Sequence, residues 1–134
     1  MPNGRVLVVD DSLIIRAMIE QIFDGRPDIR VMGSVGDVAA AYAGIERLWP
    51  DVLTLDIALP GVDGLTFLTD LMRVKPMPVV IVSSATVEDA DVCRRALALG
   101  ASACFDKARI VAAADDFVRI VQRAKTGHVA DPAP

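Results

Sequence analysis

Short, uninterrupted runs of apolar residues constrain the fold of this chain more than any other feature of its sequence. Clear runs lie at 5–9, 52–55 and 79–82, and weaker ones at 29–35 and 103–105. A strand covered on both faces reads as a continuous apolar stretch, whereas a strand with one face in water alternates. The runs therefore predict a parallel sheet buried between two layers of helices.

Stretches with helical spacing of apolar residues follow each of these runs. The first predicted helix covers 13–23, with apolar residues at 14, 17, 18 and 22. The next three are predicted at 37–48, at 64–74 and from a cap at Thr86 to Gly100. The last is marked by Val111, Ala114, Phe117, Val118 and Val121. Five strands alternating with five helices predict a doubly wound α/β domain with right-handed crossovers.

The length, net charge and cysteine content of the chain argue against several classes of function. The 134 residues suit one domain, which we expect to cover 1–124, with 125–134 as a flexible C-terminal tail or the start of a linker. A net charge of −4 argues against direct nucleic-acid binding. No apolar run approaches the roughly 20 residues that span a bilayer. Cys93 and Cys104 stand apart without a metal or redox motif, so we expect reduced, buried packing thiols in a cytosolic protein. Together with the lack of a signal-peptide pattern, this predicts a cytoplasmic protein that does not bind membranes.

Polar residues collect where the predicted strands end. Asp10 and Asp11 follow the first strand, Asp56 the third, Ser83 the fourth and Lys107 the fifth. Taken singly, each could be a turn former, a strand-end cap or a solvated surface residue. Because the carboxyl ends of parallel strands share one edge of a sheet, all five side chains are expected to meet in one crevice.

This combination of side chains favours phosphoryl chemistry. Three carboxylates would repel one another unless a cation compensates, and Mg²⁺ prefers carboxylates, waters and phosphate oxygens. Ser83 and Lys107 could hold the oxygens of a transferring phosphoryl group, and Asp56 could take that group covalently. A nucleotide-binding interpretation is disfavoured, because the turn after the first strand lacks a glycine-rich phosphate loop.

Several motifs together resemble the receiver domain of bacterial two-component response regulators, over nearly the whole chain. They are Val8-Val9-Asp10-Asp11-Ser12, the run 51–56 ending in Asp56, Leu59-Pro60-Gly61-Val62-Asp63-Gly64, Val82-Ser83-Ser84 and Asp106-Lys107. The stretch 50–84 is most similar to the receiver of the chemotaxis methylesterases. The resemblance implies a flavodoxin-like receiver topology.

The resemblance also implies a role for each site residue. Asp56 would accept a phosphoryl group from a phosphohistidine on a sensor histidine kinase or histidine phosphotransfer protein, and Ser83 and Lys107 would hold its oxygens. The implied Mg²⁺ ligands are Asp10 through water, Asp11, Asp56 and the backbone carbonyl of Ala58. The chain would be a phosphorelay signalling protein and no enzyme beyond its own phosphorylation and dephosphorylation.

Phosphorylation would then change which protein the chain binds. The new partner would be a downstream effector protein or domain, or a second copy of the chain in a phosphorylation-dependent homodimer. Two positions depart from the family pattern: Cys104 stands where an aromatic residue is usual, and Ala108 where a proline is usual. They leave open the alternative of a pseudo-receiver, a constitutive interaction module that takes no phosphate. A phosphatase or phosphotransferase of similar topology would need a second acid at position 58, which is alanine.

Overall fold

A computed structural model describes residues 4–59, 63–84 and 86–126. Five strands form one parallel sheet in the order β2-β1-β3-β4-β5. They are β1 (Gly4–Val9), β2 (Ile29–Val35), β3 (Val52–Asp56), β4 (Val79–Ser83) and β5 (Ala103–Asp106). The helices are α1 (Leu13–Phe23), α2 (Val38–Leu48), α3 (Gly64–Val74), α4 (Val87–Ala98) and α5 (Ala114–Lys125). The predicted doubly wound architecture is confirmed.

Side-chain caps fix where the helices begin. Ser12 Oγ accepts a hydrogen bond from the Ile15 amide at 3.2 Å, and Thr86 Oγ1 accepts one from the Asp89 amide at 3.0 Å. Each satisfies an amide that has no partner within its helix. Ser12 directly follows Asp10 and Asp11, so its cap also sets the direction in which the chain leaves β1.

The sheet separates two hydrophobic layers. One layer packs against α2, α3 and α4, and its largest strand residues are Leu7, Leu53, Leu55 and Ile81. The other packs against α1 and α5 and contains Val8, Val82, Phe105 and Phe117. All of these side chains are buried, as the continuous apolar runs predicted.

Two helix predictions differ from the structure. Ile14 is 72% exposed, and α1 instead buries Ile19 and Phe23. Val111 is 61% exposed and lies in the turn between a short 3₁₀ segment and α5, so the last helix begins later than the pattern suggested. In α1 the hydrophobic spacing fits more than one face of the helix, and packing on the sheet selects one. Before α5 the apolar spacing continues through a turn at 110–113, so it extends further than the helix does.

The end of α5 at Lys125 lies one residue beyond the predicted domain boundary at 124. Residues 127–134 are outside the described part, so the flexible tail stays a prediction. None of the helices within 4–59, 63–84 and 86–126 is long and apolar enough to cross a membrane.

Candidate functional site

The strand order brings the predicted site residues to one edge of the sheet. Asp10 and Asp11 follow β1, Asp56 ends β3 and Ser83 ends β4, and these three strands are neighbours. Lys107 follows β5, which pairs with β4. Each side chain is therefore carried by a strand end that the buried sheet holds in place.

Three carboxylates form the centre of this edge. Asp10, Asp11 and Asp56 each offer an oxygen, and these oxygens all lie within 4.8 Å of one another. Asp10 and Asp56 are buried, whereas Asp11 is exposed, so the acid cluster is reachable from solvent on one side. An all-oxygen donor set of this kind suits a hard divalent cation.

The backbone around Asp10 holds its carboxylate in a fixed orientation. One oxygen, Oδ1, accepts a hydrogen bond from the Ser12 amide at 2.9 Å. The Arg16 guanidinium donates to the Asp10 carbonyl at 2.7 Å and so ties α1 to the same turn. The second oxygen, Oδ2, is buried without a hydrogen-bond partner among the described residues. A buried carboxylate oxygen that accepts no hydrogen bond is suited to bind a cation.

Asp56 is held between a backbone amide and a lysine. Its Oδ1 accepts from the Ala58 amide at 3.0 Å, and its Oδ2 lies 3.3 Å from Lys107 Nζ. Burial raises the pKa of Asp56, the Ala58 amide opposes that rise, the nearby Asp10 carboxylate adds to the pKa and Lys107 lowers it. Lys107 also lies 3.6 Å from Asp10 Oδ2, so a single ammonium faces two buried carboxylates.

Ser83 reaches the same edge but contacts a different partner. Its side chain is buried, and its Oγ lies 3.1 Å from the Sγ of Cys93 on α4. Sequence reasoning treated Cys93 as a packing residue and missed this contact. The helical spacing of α4 gives no motif that would have revealed it.

Comparisons with known proteins agree with this geometry. The sequence model of one protein family, described as the response regulator receiver domain, matches residues 6–125 of this chain. The chain belongs to the response regulator receiver family. The receiver is 48% identical over 106 residues to a Xanthomonas campestris protein-glutamate methylesterase/protein-glutamine glutaminase, which covers 79% of this chain and 30% of the relative. A Thiobacillus denitrificans protein with the same description is 50% identical over 97 residues, covering 72% of this chain and 27% of the relative.

A solved structure shows the same fold. The response regulator domain of Thermotoga maritima CheB superposes with a TM-score of 0.84 at 33% identity, covering 98% of this chain and all of that one. The receiver spans less than a third of the length of the curated relatives named above. The predicted family and fold are thus confirmed.

The two departures from the family pattern have clear positions in the receiver. Cys104 faces the α2/α3/α4 layer, while Phe105 faces the other layer, with its ring centroid 5.1 Å from that of Phe117. Alternation along β5 therefore prevents Phe105 from standing in for an aromatic residue at 104. Ala108 lies in the 3₁₀ segment after β5, where its amide donates to Asp106 Oδ1 at 2.9 Å.

The two thiols of the receiver lie side by side. Cys104 Sγ donates to the Cys93 carbonyl at 3.7 Å. Burial, followed by the proximity of Cys93, raises the pKa of Cys104 above its usual range. Both cysteines are free and pack against the α2/α3/α4 layer, but they are half-buried and not buried as predicted.

Proposed function

We propose that this receiver accepts a phosphoryl group on Asp56 from a phosphohistidine donor, in a Mg²⁺-dependent reaction, and thereby changes its protein partners. The observation that carries the proposal is the contact set of Asp56. It is a buried carboxylate beside two further acids and 3.3 Å from an ammonium. A structural ion pair alone would not need the two additional acids, which cost electrostatic energy.

In the proposed reaction an Asp56 carboxylate oxygen attacks phosphorus. The P–N bond of the phosphohistidine breaks as the P–O bond forms, and the bonding electron pair leaves with the imidazole nitrogen. Lys107 lowers the pKa of Asp56 against the rise that burial causes, and its ammonium could pair with the phosphoryl oxygens. Ser83 supplies a hydroxyl donor for another of these oxygens.

The acid cluster is the place for the cation. Asp10, Asp11 and Asp56 would hold Mg²⁺, with the carbonyl of Ala58 as a further ligand, and Asp10 Oδ2, which accepts no hydrogen bond from the described residues, supports this assignment. Bound there, Mg²⁺ would neutralise charge on the carboxylates and on the phosphoryl oxygens.

The donor would be a sensor histidine kinase or a histidine phosphotransfer protein, and the output a change of protein partner. A phosphoryl group adds about −1.5 to −2 charges at neutral pH. This is enough to redirect Ser83 and Lys107 and to alter the surface of the helices next to them. The aligned segments cover only 30% and 27% of the two curated relatives, so the methylesterase activity in their descriptions is not part of the function proposed for this receiver.

Intact mass spectrometry tests the proposal directly. The protein is incubated with Mg²⁺ and acetyl phosphate, and the expected product is a single adduct of one phosphoryl group that hydroxylamine removes. EDTA and the Asp56→Asn variant should each abolish it. A surface variant, Asp91→Asn, is the matched control and should label like wild type.

Two outcomes would contradict the proposal. An unlabelled wild-type protein, under conditions that label a control receiver, would favour the pseudo-receiver, which no observation supports at present. An adduct that survives in Asp56→Asn would move the acceptor to another residue.

A further inference from the structure

The hydroxyl of Ser83 already has a partner in the unphosphorylated receiver. Ser83 Oγ and Cys93 Sγ are 3.1 Å apart, a hydrogen-bond distance for an oxygen and a sulfur, in either direction of donation. Ser83 is 94% buried, so water competes little for its hydroxyl. The contact joins the end of β4 to α4, across ten residues of the chain.

Cys93 is itself linked to β5. The Cys104 thiol donates to the Cys93 carbonyl, and both cysteines pack against the hydrophobic layer that contains Ile81. Ile81 pairs with Cys104, and Ser83 lies two residues further along β4 on the same face. The two sulfurs therefore occupy the space between Ser83, α4 and β5.

We propose that Cys93 is a positioning residue whose sulfur accepts a hydrogen bond from the Ser83 hydroxyl in the resting receiver, so that a phosphoryl group on Asp56 must compete with Cys93 for that hydroxyl proton. This inference rests on the proposed function. The inference predicts that the Ser83–Cys93 hydrogen bond weakens binding of a phosphoryl group at Asp56. It also predicts that breaking this bond is the first change that phosphorylation causes at α4.

The test uses beryllofluoride, a non-covalent mimic of an aspartyl phosphoryl group, bound in the presence of Mg²⁺ and followed by ¹⁹F NMR. Cys93→Ala should bind the mimic about two- to tenfold more tightly than wild type, which is the size expected for one released hydrogen bond. Cys93→Ser keeps a hydroxyl partner and should return the affinity toward wild type. Cys104→Ala removes a thiol whose hydrogen bond goes to the Cys93 carbonyl and leaves the Ser83–Cys93 bond in place, so it is the matched control and should stay within twofold.

A double-mutant cycle separates this role from a general loosening of the fold. In a Ser83→Ala background the Cys93→Ala substitution should have no further effect, because the bond that it removes is already absent. An equal effect in both backgrounds would refute the inference, since a purely structural effect does not depend on Ser83.

A measurement on wild type needs no variant. The alkylation rate of Cys93 by iodoacetamide, read by peptide mass, should rise at least about twofold with beryllofluoride, because Ser83 no longer covers the sulfur. Cys104 serves as the internal reference. Binding of the mimic with unchanged Cys93 alkylation and a wild-type affinity in Cys93→Ala would overturn the inference alone. A wild type that neither binds the mimic nor labels with acetyl phosphate would overturn the proposed function, and the inference with it.

Discussion

Replacing Asp56 by asparagine should make the metal-free receiver more stable at neutral pH. Asp56 is 97% buried, next to Asp10, which is 99% buried, and one ammonium faces both. The raised pKa of Asp56 means that its charged form is less favourable in the folded protein than in the unfolded chain. Asparagine keeps the shape of the side chain and removes the charge.

The magnitude follows from three opposing contributions. The Asp10 and Asp56 carboxylates have oxygens no more than 4.8 Å apart, and two unit charges at that separation repel by at least about 3.5 kcal/mol at an effective dielectric constant near 20. The Lys107 ammonium, 3.3 Å from Asp56, attracts it by about 5 kcal/mol on the same basis. Removing the carboxylate from water costs several kcal/mol more and outweighs the small net attraction. We expect Asp56→Asn to raise the free energy of unfolding by on the order of 1–2 kcal/mol.

The stability difference between Asp56→Asn and wild type should depend on pH. A group whose folded-state pKa is raised contributes stability below its unfolded pKa, and this stability is lost as pH rises through the folded pKa. The advantage of the asparagine variant should therefore be largest at pH values above the raised pKa of Asp56. It should shrink as pH falls toward the ordinary pKa of aspartic acid, about 3.9, where Asp56 is neutral in both states of wild type.

Urea unfolding followed by far-ultraviolet circular dichroism, in EDTA at pH 7 and pH 5, measures this difference. The expected gain at pH 7 corresponds to a rise in Tm of roughly 3–8 °C for a chain of this length. Asp91→Asn, which breaks a surface ion pair with Arg94, should change stability by less than about 0.5 kcal/mol. A variant that is less stable than wild type at pH 7, or a gain that is equal at both pH values, would refute the reasoning.

Three further outcomes are expected. Mg²⁺ at about ten times its Kd should stabilise wild type by about 1.4 kcal/mol in urea titrations, and Asp11→Asn should lose most of this effect. Gly64→Ala should lower the free energy of unfolding by about 1–3 kcal/mol, because a Cβ there would lie 2.6 Å from the Ile57 carbonyl oxygen; equal urea midpoints would contradict this. Arg16→Met should cost about 1–3 kcal/mol in the same assay, because it removes the guanidinium that binds the Asp10 carbonyl, and an unchanged midpoint would show that this bond adds nothing.

The convergence of the site could be predicted because it depends only on strand ends. Continuous apolar runs identify buried parallel strands, and the carboxyl ends of such strands share an edge whatever the details of packing. Asp10, Asp56 and Lys107 therefore meet in the structure as the sequence implied. Their chemical roles depend on bound partners and stay predictions.

Contacts that depend on helix rotation were harder to predict. The first turns of α1 contain Leu13, Ile14 and Ile15 in succession, so more than one face of this helix has an apolar stripe. Docking on the sheet buries Ile19 and Phe23 and leaves Ile14 exposed. The Ser83–Cys93 contact is of the same kind, since it exists only because α4 is rotated to bring one thiol over the end of β4.

The weak anchoring of α4 explains why this contact would matter for signalling. Of its twelve residues, all described, only Ala96 is buried, whereas α3 buries five of eleven. A helix with so little buried apolar surface opens or shifts at a low free-energy cost. One hydrogen bond, about 0.5–1.5 kcal/mol, is then a meaningful share of what holds its position. Phe105, the aromatic residue of β5, packs in the opposite hydrophobic layer. A movement of Ser83 would therefore be transmitted to the surface through Cys93 and α4, and not through an aromatic side chain of β5.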